Sequence, residues 1–241
     1  MAVVIENSDM ILGGFWFEAI LNNVCDSGEP MIDLHTHTVF SDGELIPSEL
    51  VRRAETMGYR ALGIADHVDF TNVEFVINHV SKVKELEEVL EMRILAGVEL
   101  THVPPAKMEK LATLARRLGA DLIVVHGETP VEPVAPGTNR KALEIGADIL
   151  AHPGFLTPEE ADLARDNGVC LELTARRGHN ITNGHVARLA LEAGVKLVVD
   201  TDAHAPEDLI DRARAIEIAR GAGLTLDQAT AVVDEHAIID L

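Results

Sequence analysis

From Met31 onward the chain alternates between two patterns: amphipathic stretches with apolar residues three and four apart, and short apolar runs, commonly with a glycine between them. The apolar runs begin at Met31-Ile32 and recur at 59–65, 93–98, 122–125, 149–151, 169–171 and 195–199. The amphipathic stretches predict helices at 47–57, 72–91, 105–118, 139–145, 158–167, 183–193 and 206–221, with a last one in 225–241. One step occurs twice almost unchanged. Gly119-Ala120-Asp121-Leu122-Ile123-Val124-Val125-His126-Gly127 is echoed by Gly146-Ala147-Asp148-Ile149-Leu150-Ala151-His152-Pro153-Gly154. Strict alternation of strand and helix predicts a parallel sheet with helices outside it. Nearly continuous apolar runs such as Leu122 to Val125 suit strands covered on both faces.

The residues at the end of each run decide between two α/β architectures. An open doubly wound sheet gathers its site at one switch point. Here every run leads into ionisable residues: His35 and His37, Asp66 and His67, Glu99, His126, His152, Glu172, and Asp202 with His204. Seven strand ends facing one mouth predict a distorted seven-stranded (β/α)7 TIM-like barrel. His35 and His37 share one face of an extended segment and can hold one metal together, while Asp33 lies on the same face, placed to orient an imidazole. Six of the 11 histidines fall in this set. Imidazoles mixed with carboxylates suit zinc, manganese or iron better than calcium or magnesium. The ligands exceed what one ion needs, so two to three divalent transition metal ions are expected, with carboxylates bridging.

Composition narrows the partners. The net charge of -20 repels a polyanion and makes nucleic acid an unlikely partner, favouring cations and small ligands. Aromatics are 3%, so the core must be built from Val, Ile, Leu and Ala. Cys25 and Cys170 do not make a disulfide framework, the first residues do not read as a signal peptide, and no apolar run is long enough to span a bilayer; a cytoplasmic protein is expected. Residues 1–30, with Phe15-Trp16-Phe17, read as an extension packing on the barrel or on a partner, which would allow a homo-oligomer. Residues 31–241 read as one barrel domain.

In this order, His35-Thr36-His37, Asp66-His67, Gly97-Val98-Glu99, Val125-His126-Gly127, Ala151-His152-Pro153-Gly154 and Thr201-Asp202-Ala203-His204 resemble the motifs of the polymerase and histidinol phosphatase (PHP) family over residues 31–210. That resemblance implies a distorted seven-stranded barrel with a trinuclear metal centre that hydrolyses phosphate esters. It implies that His35, His37, Glu99 and Asp202 hold the first metal, that Glu99 bridges to a second held by His126 and His152, and that His67 and His204 hold the third. Some members carry a further histidine where this chain has Ser41-Asp42-Gly43, and Asp42 takes its place as a candidate ligand. Asp66 and Glu172 are candidates for supporting or ligating roles.

No Gly-x-Ser-x-Gly, Walker loop or His-Glu-x-x-His occurs. The expected function is therefore a metal-dependent phosphoesterase, a phosphatase of a small phosphomonoester of the histidinol phosphate kind. Hydroxide generated by the ions would attack phosphorus, and His35, His37, Glu99, His126 and Asp202 would be central to it. Arg176, Arg177 and His179 after the sixth run are candidate phosphate contacts, with Asn139 and Arg140 weaker ones. His79, His102, His185 and His236 read as packing or surface residues, His102 lying nearest a strand end. The alternatives are a nuclease or nucleotide phosphodiesterase, hydrolysis of a carbon-nitrogen bond, and a non-catalytic metal-binding assembly subunit.

Overall fold

The computed structural model describes residues 31–234, so the predicted cover at 1–30, Cys25, the end of the tail and His236 lie outside the described residues. Seven parallel strands form a nearly closed barrel in chain order: β1 (Met31–Thr36), β2 (Tyr59–Ile64), β4 (Arg93–Leu100), β5 (Leu122–His126), β6 (Ile149–Ala151), β7 (Cys170–Thr174) and β8 (Leu197–Asp200). A two-residue strand, β3 (His67–Val68), pairs with β4 off that path and sets His67 opposite Glu99. Eight helices among the described residues surround the ring: α1 (Pro47–Thr56), α2 (Val73–Val80), α3 (Pro105–Leu118), α4 (Thr138–Glu144), α5 (Pro158–Asn167), α6 (Asn183–Ala193), α7 (Arg212–Gly221) and α8 (Leu226–Asp234). Among the described residues no helix is long and apolar enough to cross a membrane.

Strand periodicity sorts the core into two shells. A large cluster joins outward residues such as Ile123, Val125 and Leu171 to the inner helix faces, for example Leu111 and Ala115 of α3. A smaller cluster has strand residues from around the ring and none from a helix, including Leu34, Leu95, Leu122, Val124 and Val198, and fills the inside. Inward parity carries the chemistry: Leu122 and Val124 share a face with His126, and Leu95 shares one with Glu99. The hydrophobic effect that buries the inner cluster therefore also points those side chains at the barrel mouth.

Between β8 and β1 the ladder reduces to one bridge, Thr36 with Ala203, and the amide of His37 donating to the Ala203 carbonyl at 2.8 Å. Two buried carboxylates stand in for missing carbonyls. Asp200 Oδ1 accepts from the Leu34 amide at 2.7 Å, while Asp33 accepts from the Thr201 amide at 3.2 Å and its hydroxyl at 2.5 Å.

Two predicted helices are shorter than the pattern suggests. The stretch 72–91 splits into α2 and a 3-10 helix, Ser81–Glu88, whose only buried residue is Val83, so little apolar burial holds it in α form. The stretch 206–221 opens with a 3-10 turn at Pro206–Asp208 and becomes α-helical only at Arg212, where the Asp211 side chain caps it by accepting from the Arg214 amide.

Candidate metal centre

Every predicted ligand arrives at the carboxyl end of the barrel. His37 Nε2 lies 3.1 Å from Asp202 Oδ1, and His35 Nε2 lies 3.4 Å from Glu99 Oε1 and 3.8 Å from Asp202 Oδ1. Five overlapping groups among the described residues have ligand atoms within 4.8 Å of one another: His35, His37 and Asp202; His35, Glu99 and His152; His37, Asp42, His67 and His204; His126, His152 and His179; and His102, His126 and Glu132. Bonds of about 2.0–2.2 Å place the vertices of a coordination tetrahedron about 3.4 Å apart, so these separations match ligands around shared ions.

The donors fit such ions on a further ground. His35 Nε2, both ring nitrogens of His37 and Glu99 Oε1 are buried without a hydrogen-bond partner. Each such atom costs about 1–3 kcal/mol unless something satisfies it. Imidazole and carboxylate lone pairs converging in a dry pocket are what a divalent transition metal satisfies.

Charge balance obeys the same geometry. Burial opposes a charge on His35, but Glu172, Glu99 and Asp202 outweigh it and raise its pKa well above the usual value. Burial and the neighbouring His67 and His35 depress His37. Burial and His126 do the same to His152, so both rings are neutral and ready to ligate. Burial disfavours the charge on Glu99, yet His67 and His35 hold its carboxyl well below the ordinary range. His67 rises to about 9, its burial offset chiefly by Glu99, whose Oε2 is 2.5 Å from Nδ1.

The surrounding contacts correct several expectations. Asp33 does not orient the His35 ring: its carboxylate is taken by backbone amides and Thr201 at the barrel seam. Glu172 does so instead, with Oε1 2.8 Å from His35 Nδ1 and Oε2 accepting from the His152 amide at 2.8 Å. Asp66 accepts from the amide and hydroxyl of Thr38 and from Ser41, tying down the turn that carries Asp42. Asp42 Oδ1 then lies 3.2 Å from His204 Nε2 and 3.5 Å from His67 Nε2. The Nδ1 of His204 is 2.8 Å from the Asp202 carbonyl; a carbonyl only accepts, so Nδ1 donates there and Nε2 is the ring atom turned to Asp42.

The mouth is a cavity of about 240 Å³ bounded by Asp42, His67, Thr101, His102, His126, Glu132, Arg176, His179, Asp202 and His204. Arg176 reaches it, donating from Nη1 to the Asp202 carbonyl at 3.1 Å. Arg177 is exposed and does not line it, because the turn aims adjacent side chains in different directions. His179 is buried beside His126 and His152, among nitrogen ligands rather than out where a phosphate clamp would stand. Asn139 is structural: its Oδ1 accepts from the Glu128 amide and its Nδ2 donates to the Pro153 carbonyl. Arg140 pairs with Glu144 on the outer surface. His79 and His185 contact the carbonyls of Phe75 and Leu156, away from the mouth. Two mouth residues escape the strand-end pattern. Glu132 sits mid-loop among prolines, and His102 lies beyond the end of β4 with a left-handed φ of 53°. His152 and Asp202 also have positive φ, so the left-handed non-glycine residues among those described all belong to this region.

A family model described as PHP domain matches residues 33–136. An uncharacterized protein of Methanocaldococcus jannaschii is 53% identical over 196 residues, 80% of this chain and 90% of its own length. The DNA polymerase/3'-5' exonuclease PolX of Bacillus subtilis is 27% identical over 78% of this chain but only 36% of its own. A probable phosphatase of Thermoanaerobacter is 26% identical over 82% of this chain and 88% of its own. Among solved structures, histidinol phosphate phosphatase from Lactococcus lactis, complexed with zinc, L-histidinol and phosphate, superposes with a TM-score of 0.58 at 15% identity, covering 81% of this chain and 94% of that one.

Proposed function

The chain belongs to the PHP domain family, and from that premise we propose that it is a metal-dependent phosphoesterase hydrolysing a small phosphomonoester. The observation that carries this reading is the set of buried, unpartnered imidazole and carboxylate atoms converging at the barrel mouth beside Arg176. His35, His37, Glu99 and Asp202 would hold one ion, Glu99, His126 and His152 a second, and Asp42, His67 and His204 a third. Such ions supply an acidified water as nucleophile and neutralise charge growing on phosphoryl oxygens.

The protein's own groups do the rest. Glu172 fixes the ring of His35 and the backbone of His152, so two ligands from different strands are set by one carboxylate. Arg176 stands at the cavity edge, where its guanidinium can receive a phosphoryl oxygen once it turns from the Asp202 carbonyl. The walls of the barrel exclude bulk water from the ligands, several of which are fully buried.

A mouth of about 240 Å³ edged by Asp42 and Glu132 favours a compact ester over a polymer. The net charge of -20 acts in the same direction by repelling an extended phosphate backbone. The similarity to the probable phosphatase spans nearly all of that protein, whereas the similarity to the polymerase spans about a third of it. That polymerase/exonuclease similarity keeps nuclease activity as the second reading.

The deciding experiment assays phosphomonoesters, phosphodiesters and single-stranded DNA with zinc, manganese and iron, alongside elemental analysis of the purified chain. Two to three metal equivalents and turnover confined to monoesters are expected. Faster cleavage of diesters or DNA would favour the second reading, and protein without metal after supplemented growth would overturn both.

A further inference from the structure

Glu132 has an environment that the family pattern does not explain. His126 Nε2 at 3.2 Å and His102 Nε2 at 3.3 Å approach its Oε2, and His179 Nε2 lies 3.4 Å from its Oε1. These separations again match the roughly 3.4 Å edge of a tetrahedron with bonds of about 2.0–2.1 Å. Ligand atoms of His102, His126 and Glu132 all lie within 4.8 Å of one another.

The loop delivering Glu132 is built to hold it there. Pro130, Pro133 and Pro136 flank it and restrict the backbone. The loop base is fastened where Glu128 Oε1 accepts from the amides of Gly137 and Asn139. Val131 lies against the position of Gly178, beside His179, so the loop tip is seated on the β7 side of the mouth. On the β4 side, His102 is held in the left-handed region, a conformation that costs a non-glycine residue about 1–3 kcal/mol.

We propose that Glu132, His102 and His126 form an additional site for a divalent transition metal at the outer edge of the mouth, sharing His126, as a bridging imidazolate that gives its proton to solvent, with the inner centre. The proposal rests on the reading of the barrel mouth as a metal centre, and adds a cation position beyond the three carried by the family motifs. A carboxylate with two imidazoles is a donor set suited to zinc with an open position for substrate or water. An ion there would present a positive charge to the part of a substrate that lies outside the inner centre.

The test is a zinc titration of the full chain, stripped of metal with a chelator, against a chromophoric competitor. Wild-type protein is compared with Glu132→Ala, with His102→Ala from the opposite side of the mouth, and with Glu192→Ala on the outer face of α6 as the control for loss of one acid. Glu132→Ala and His102→Ala are each expected to weaken the same class of zinc sites by at least about tenfold. Glu132→His, which returns a ligating atom, should recover uptake, and the control should match wild type. Because His102 and Glu132 are both partly exposed, circular dichroism should report an intact fold in these variants. Isotherms of Glu132→Ala and His102→Ala that overlay a zinc-binding wild type would overturn the outer site while leaving the inner centre standing. A wild type that binds no zinc would overturn both.

Discussion

Glu172 is fully buried, with one oxygen on the His35 ring and the other on the His152 amide. Replacing it with Gln keeps the shape but puts an amide nitrogen where one of two acceptors is needed. Glu172→Gln should therefore lower metal affinity and turnover together by about 10–100-fold while the fold persists. Zinc titration and kcat on the best monoester measure this, and unchanged values in both would remove the positioning role. At this scale the sequence exposed the strand-end residues because barrel topology turns them to one side. It did not expose who touches whom. Asp33 has the parity expected of a partner for His35, yet Glu172, 137 residues away, makes that contact. His102 stood out among the surface histidines only by lying nearest a strand end, and Glu132 carried no signal because its loop lacks periodicity and an acid between prolines reads as solvated.

Elements were legible where burial enforces a period. The seven barrel strands and most helices fall where the apolar runs and amphipathic stretches put them. What escaped were pieces decided by local capping or by scant burial, such as the 3-10 stretch after α2. The loop after β5 and the turn after β6 interlock through two glycines. A Cβ on Gly127 would come within 2.3 Å of the Ala151 carbonyl oxygen, and one on Gly154 within 2.0 Å of that of Glu128. Gly154 also has a φ of 66°, disfavoured with a side chain present. Gly154→Ala should destabilise the chain by about 2 kcal/mol or more, lowering Tm by roughly 5 °C. Thermal melts check this. Because Gly154 is two residues from His152 and braces the loop of Glu132, zinc affinity should fall even below the melting range. A variant that melts and binds like wild type would show that the interlock yields without strain.

For the whole molecule, the seam between β8 and β1 ties stability to pH. Burial, and next the charge of Asp200, push Asp33 up to about 8. The folded state therefore keeps a proton that the unfolded chain releases near the ordinary carboxylate range. The resulting stabilisation is full below the unfolded pKa and is lost as pH rises through about 8. Asp33→Asn is neutral at every pH, so its stability relative to wild type should increase between pH 5 and 9, as read from urea midpoints at fixed metal content. A difference independent of pH would mean that Asp33 is not protonated in the fold. The overall ring was legible in the alternation of helix and strand. Its incomplete closure was not, because no apolar pattern distinguishes a ladder from a pair of carboxylates.

That seam has a consequence for how the molecule is held shut. His37 leaves β1 and Asp202 lies just past β8, and their ligand atoms meet 3.1 Å apart across the gap where amide-to-carbonyl bonding is sparse. A cation gripped by both would act as a clasp on an unfinished ring. Metal supply would then govern how firmly the two ends of the sheet are joined, so starvation for metal would loosen the barrel along the edge that carries the candidate metal centre.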